Sequence, residues 1–383
     1  MHSYRTESGL RFVDREKEIR AVLSGIAVDR VGREFPVIEG GMITVIYGPK
    51  GCGKTTLFDA LREAVRGTKD FEVVLVKNRE EARSVERIYV PEDLRRIFVD
   101  AVRFFGGSLD TTTGSISGSV DFTGVLMFVS SHIARRLRRA RRLLIVIDEI
   151  RADSDERLAD FRGWLESYAN DLRRDNAMYR EKGGSIAVVA LTSDALVASI
   201  RYKVGDKIWW IYMWNLPREA AEDLSQQLAL SNIISRELGI GERDSSELLW
   251  RLAGGNPRAL DRIRRVGIIK WVDESIRGAV IKTLDPMRIY LGEERFWRIL
   301  GEIIDNIDHL RSYREVEEAM LGNNIAIYVA GSNAISSTPR EPWFGEWYAY
   351  QIPAYYYALT AMHRKRSVEI NARDIIEEAL RAG

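Results

Sequence analysis

The sequence predicts an α/β fold: a parallel sheet in a three-layer αβα arrangement, followed by a helical domain and a smaller α+β module. Three observations carry this reading. Short, continuous apolar runs recur at Ile43–Tyr47, Phe71–Val76, Leu143–Ile147, Ile186–Leu191 and Ile208–Met213. Helix-length amphipathic segments separate most of them, at Pro91–Phe105, Phe122–Arg139 and Glu156–Arg180. Strands that are apolar at every position are covered on both faces, which is the condition of a parallel sheet layered with helices. After Pro217 the pattern becomes helical and stays so to about Thr283.

The remaining elements follow in chain order. Ser108–Gly124 is rich in Ser, Thr and Gly, with an alternating stretch at Ile116–Phe122, and reads as a surface hairpin inserted before a long helix. Beyond Asp285 an amphipathic helix spans Glu294–Ile307, with Phe296, Leu300, Ile303 and Ile307 on one face. A shorter helix at Arg314–Leu321 and a strand at Ile325–Ala330 come next. An aromatic, Pro-containing stretch at Pro339–Tyr357 leads to a closing helix at Ala372–Leu380. The expected division is 1–215, 216–285 for a helical lid, and 286–383 for a winged-helix-like module.

Composition sets bounds. The 383 residues are 45% hydrophobic and 30% charged, which fits a globular chain of two or three domains. No run approaches the roughly eighteen apolar residues of a membrane span, and the first twenty residues hold no apolar signal core. The single cysteine, Cys52, excludes a disulfide framework, and a cytoplasmic protein is expected. The four histidines show no metal-ligand spacing. Net charge is +1, and from Pro286 onward 11 Lys and Arg face 14 Asp and Glu. Neither value is that of a strongly nucleic-acid-binding surface.

The segment with the most chemical content is Gly48-Pro49-Lys50-Gly51-Cys52-Gly53-Lys54-Thr55-Thr56, directly after the apolar run at Ile43–Tyr47. It is the G-x-x-x-x-G-K-[ST] phosphate loop. Its glycines let backbone N–H groups turn inward toward phosphate oxygens, and the helix that follows offers its positive end to the same oxygens. Lys54 adds a point charge for the β- and γ-phosphates, and the Thr55 hydroxyl suits Mg²⁺. Cys52 fills a permissive position and reads as incidental. A second cluster closes the run Leu143–Ile147: Asp148 for the Mg²⁺ shell and Glu149 to orient and deprotonate an attacking water. Together they imply binding and hydrolysis of ATP with Mg²⁺. The next strand ends Leu191-Thr192-Ser193-Asp194, and either Thr192 or Ser193 is the candidate for sensing the γ-phosphate, against helix capping as the plain alternative. Arg201, in SIRYKVGD, is a candidate arginine offered to a neighbouring subunit's phosphates.

These pieces, in this order, resemble the archaeal ATPase branch of the signal-transducing P-loop NTPases (STAND), related to the AAA+ proteins. FVDREKEI (Phe12–Ile19) is similar to the N-terminal motif that lies along the nucleotide base, which places Arg15 there. The phosphate loop, the IVIDE strand and LTSDA follow, and NLPREAAEDL (Asn215–Leu224) opens the lid. GGNPRAL (Gly254–Leu260) is similar to the Gly-x-Pro motif of that branch and to the second sensor of AAA+ initiators. The resemblance implies that Pro257 touches base or ribose and Arg258 the phosphate. It covers about residues 12–285. It departs in sensor 1, Thr-Ser where AAA+ proteins usually have asparagine, and in the lack of an unambiguous arginine finger. The resemblance implies a slowly turning switch whose lid closes over nucleotide.

Two features bear on what such a switch controls. The run Arg135–Arg142 reads either as a solvated helix end or as a contact for the backbone of duplex DNA. The cluster Trp343–Tyr357 reads either as a small-domain core or as a surface for a protein partner. A DNA-associated ATPase and a protein-facing signalling or scaffold switch therefore both stand, and the oligomeric state is open.

Overall fold

The computed structural model describes residues 14–28, 32–66, 68, 70–78, 85–89, 94–104, 108–109, 115–117, 129, 141–148, 155–193, 208–330 and 333–382. The chain divides into two compact units. The first comprises residues 1–47, 54–193 and 199–211; the second comprises 48–53, 194–198 and 212–383.

In the first unit, β3 (Ile43–Tyr47), β4 (Phe71–Asn78), β8 (Arg142–Asp148), β9 (Ser185–Thr192) and β10 (Ile208–Tyr212) are the five apolar runs of the sequence, each realised as a strand. With β5 (Val85–Tyr89) they are ordered β10-β3-β9-β8-β4-β5. The pairs β3·β9, β9·β8 and β8·β4 are parallel. The edge pair β4·β5 is antiparallel, which the sequence reading did not include. The central strands are buried at every position of Ile43–Tyr47 and Leu143–Asp148, which is why they read as unbroken apolar runs.

Helices complete the layers. In α1 (Glu16–Ser24), Ile19 and Val22 face inward; in α2 (Lys54–Val65), Leu57, Phe58, Leu61 and Val65 form the buried stripe. Helix α2 packs on β4. Helix α3 (Arg95–Phe104) packs at the short hairpin β6 (Ser108–Leu109) and β7 (Ile116–Ser117). The long α4 (Asp155–Arg180) packs on β9. A second hairpin, β1 (Ile26–Val28) with β2 (Glu34–Pro36), follows α1. Of the helix expected at Phe122–Arg139, only Val129 is among the described residues, and it is buried.

The two described members of the arginine run serve the fold. Arg141 is buried and ion-paired with Glu72. Arg142 is exposed, but its guanidinium donates to the Leu23 carbonyl oxygen at 2.9 Å and lies over the Phe71 ring. Arg141 is thus a core cation rather than a solvated one, which corrects that part of the expectation. Arg135, Arg136, Arg138 and Arg139 lie outside the described residues.

The second unit is mostly helical: α5 (Arg218–Gln227), α6 (Leu230–Leu238), α7 (Glu242–Ala253), α8 (Pro257–Val266), α9 (Ile268–Trp271), a π-turn at Val272–Arg277, and α10 (Gly278–Leu291). Pro217 is the N-cap of α5. Helix α10 runs without interruption through Asp285 and Pro286. Beyond it come α11 (Glu293–Asp305), a 3₁₀ turn (Ile307–Ser312), α12 (Arg314–Gly322), β11 (Ala326–Tyr328), β12 (Asn333–Ala334), β13 (Tyr348–Tyr350), α13 (Pro353–Lys365) and α14 (Ala372–Arg381). Strands β11 and β13 pair antiparallel. Helix α7 packs against both α13 and α14, so segments 216–285 and 286–383 share one core. Gly254, left-handed at φ +56°, ends α7 where a Cβ would lie 2.5 Å from the Pro353 ring.

The aromatic cluster is chiefly core. Trp343, Tyr348, Tyr350, Tyr355 and Tyr357 are buried, and burial pushes the Tyr355 phenol up to about 12. The turn before β13 is held by one carboxylate. Asp308 accepts N–H groups from Glu346 (2.8 Å), Trp347 (2.8 Å) and Tyr348 (2.9 Å), while Arg311 lies over the Trp347 ring. Hydrogen bonds to an ionised acceptor are the stronger kind. Asp308→Ala is expected to cost about 2 kcal/mol, measured by urea unfolding followed through tryptophan fluorescence. An unchanged midpoint would show that the turn holds itself.

Candidate functional site

The parallel register brings the polar ends of three strands to one edge of the first unit's sheet. Tyr47 pairs with Thr192 across β3·β9, Ile147 with Ala190 across β8·β9, and Lys77 with Asp148 across β4·β8. The carboxyl edge of a parallel sheet is where such folds place ligands. Asp148 closes β8 and is buried, and Thr55, in the first turn of α2, donates its hydroxyl to Asp148 Oδ1 at 3.0 Å. Lys54 opens the same helix and is only 7% exposed. Thr192 and Ser193 are both buried at the end of β9. Thr56 is partly exposed.

The donor set at Thr55 and Asp148 is all oxygen, one hydroxyl and one carboxylate. It fits a small hard cation that keeps water and phosphate as its other ligands. No group of three or more His, Cys, Asp or Glu among the described residues could hold a metal by itself.

Arg15 lies at the start of α1. It is 2% exposed, and its guanidinium donates to Glu18 at 2.7 Å. Glu149 and Arg201 lie outside the described residues.

The phosphate loop itself, residues 48–53, belongs to the second unit, and its conformation is imposed by close packing there. A Cβ on Gly48 would fall 1.9 Å from the Met213 carbonyl oxygen. Gly51 has φ +83°, and a Cβ on it would fall 2.3 Å from Arg258 Cβ. Both positions therefore need glycine for close approach. Cys52 is fully buried, with its thiol 3.6 Å from the Met213 carbonyl oxygen. It is a packing residue, not an incidental one.

Three buried amides surround this loop, and none was singled out from sequence. Asn256 caps α8 by accepting from the Ala259 N–H at 3.0 Å. Its Nδ2 donates to the Lys50 carbonyl oxygen and to Asn215 Oδ1, both at 2.9 Å. The Lys50 N–H donates to Gln351 Oε1 at 2.9 Å. Pro257 is the first residue of α8. Arg258 is exposed, and its N–H reaches the Gly51 carbonyl oxygen at 3.4 Å. The segment Gly254–Leu260 and the loop thus meet through named atoms. A faint signal was available: Asn before Pro is an N-cap pattern, and Gln351 is a lone amide in an aromatic run.

Comparison with known proteins places the chain. No curated protein matches it in sequence. Among solved structures, Cdc6p from Pyrobaculum aerophilum aligns with 14% identity over 100% of this chain and 97% of that one, at a TM-score of 0.32. The Drosophila ORC bound to DNA aligns with 13% identity over 82% of this chain and 86% of that one, at 0.35. The model of the ATPase domain predominantly from Archaea matches residues 12–263. With that match covering well over half its length, the chain belongs to this family of ATPase domains.

Proposed function

We propose that the protein binds ATP with Mg²⁺, hydrolyses it slowly, and uses the two nucleotide states as a switch. The observation that carries the reading is the Thr55 hydroxyl seated on Asp148 in the helix that begins with Lys54. Lys54 counters charge on the β- and γ-phosphates, and backbone N–H groups of the loop Gly48–Gly53 cradle them. Thr55 and Asp148 would hold Mg²⁺, which supplies charge neutralisation to the phosphates. Glu149, next after Asp148, is the proposed base, orienting water and taking its proton. Thr192 or Ser193 positions that water, Arg258 meets the γ-phosphate, and Pro257 meets the base or ribose. Arg201 is proposed as a charge offered to a neighbouring subunit. The proposed functional division is 1–215 for ATPase chemistry, 216–285 for the lid, and 286–383 for a winged-helix-like output module that shares its core with the lid.

Two outputs are proposed for the switch. Contact with duplex DNA would use Arg135, Arg136, Arg138 and Arg139 together with the C-terminal module. A protein partner is favoured by basic side chains that are already engaged. Arg141 pairs with Glu72, Arg364 with Glu378, and Lys365 with Asp374. Phe344, Trp347 and Tyr356 are the half-buried aromatic side chains of Trp343–Tyr357, and the proposed protein-facing surface includes them.

Lys54→Ala is expected to weaken ATP binding by about a hundredfold, read by titration with a fluorescent nucleotide; unchanged affinity would contradict the phosphate-loop reading. Glu149→Gln should keep ATP affinity and lower turnover by about 10²–10⁴-fold, and turnover equal to the parent's would remove it as the base. Duplex DNA that stimulates hydrolysis, with an effect that collapses as salt rises, would establish the DNA output. Turnover dependent on Glu149 and indifferent to DNA supports the protein-facing one.

A further inference from the structure

Gln351 lies far from every motif, yet it ends on the phosphate loop. It follows β13, and its backbone N–H donates to the Ile325 carbonyl oxygen at 2.9 Å, which fixes it beside β11. Its side-chain Nε2 donates to Asn324 Oδ1 at 3.0 Å, and Asn324 is held in a left-handed conformation at φ +56°. Its backbone carbonyl oxygen accepts from Asn215 Nδ2 at 3.1 Å. Its Oε1 accepts from the Lys50 N–H at 2.9 Å.

With Asn256 these bonds close a ring. Lys50 donates to Gln351, Asn215 donates to Gln351, and Asn256 donates to both Asn215 and Lys50. Asn215, Asn256 and Gln351 are between 0% and 2% exposed. A buried amide that loses its partner carries the full cost of desolvation, so such a ring is held as a whole or not at all. Both peptide groups that flank Lys50 are therefore fixed, one by the second-sensor segment and one by the C-terminal β-pair.

We propose that Gln351 is a positioning residue for nucleotide binding. It sets the Lys50 peptide from the C-terminal module, so that displacing the β11·β13 pair loosens the phosphate loop and lowers nucleotide affinity. The inference rests on the ATP reading above and names how the C-terminal module regulates that same site. By linkage, whatever alters this contact on engaging the module changes nucleotide affinity, and nucleotide changes its affinity by the same factor.

The test uses the full chain with Gln351→Leu and Asn324→Gly. The first removes both side-chain bonds at similar volume; the second removes the Asn324 anchor and leaves the Gln351 side chain in place, with a residue that tolerates the left-handed backbone. Fluorescent ATP affinity, thermal midpoint, and hydrogen exchange of a peptide spanning residues 48–53 are measured for each. Expected is an affinity at least about tenfold weaker in Gln351→Leu, with faster exchange in the loop peptide and unchanged exchange in the central strands. Asn324→Gly should fall between it and the parent. Parent-like affinity and loop exchange in both folded variants would overturn the proposal. If Gln351→Leu does not fold, Asn324→Gly decides alone: weaker ATP binding at an unshifted midpoint supports the proposal, and parent-like binding overturns it. A parent that binds no ATP would defeat the nucleotide reading itself, and this inference with it.

Discussion

A phosphate loop must keep inward-facing N–H groups available for an anion while every other buried polar group finds a partner. Here that constraint is met by three amides that take the remaining groups: the Lys50 N–H, the Lys50 carbonyl, and each other. Without them the loop would offer the same donors from a less defined backbone, and binding would first have to order it. The close contacts at Gly48 and Gly51 work in the same direction, since the Met213 carbonyl and the start of α8 leave room for no side chain there. The glycines therefore serve packing as much as phosphate.

In the first unit, order comes from the sheet. Parallel register aligns Tyr47, Asp148 and Thr192 at one edge without requiring those residues to be near in sequence. Strands β3, β8 and β9 are buried, and Asp148 at the end of β8 lies in reach of Thr55. An all-oxygen pair on a strand end and the first turn of a helix suits a hard cation whose remaining ligands come from phosphate and water.

Much of this was legible in the sequence because it is local. Apolar runs buried on both faces announce themselves, and the strand bounds differ from the reading by at most two residues. Strand β5 escaped because Val85–Tyr89 includes Glu86 and Arg87, a pattern suited to an edge. Helix α13 escaped for the opposite reason. Ala354, Tyr355, Tyr357, Ala358, Leu359, Ala361 and Met362 are buried nearly all round, which leaves no polar stripe to mark a period. The amide ring joins positions 215, 256 and 351 to a loop at 50, and no local spacing encodes such a set. Arg141 shows the limit of reading charge as solvation: although it stands in a run of basic residues, it is taken into the core against Glu72.

The central claim is that Thr55 and Asp148 form the cation-holding half of an ATP site. It is tested most directly by titrating the parent and Asp148→Ala with ATP in the presence of Mg²⁺ and again in its absence, following heat. The account predicts that Mg²⁺ strengthens ATP binding to the parent and that this advantage is lost in the variant, while both proteins unfold cooperatively. ATP bound equally well with and without Mg²⁺ by the parent, or an undiminished Mg²⁺ effect in Asp148→Ala, would contradict it.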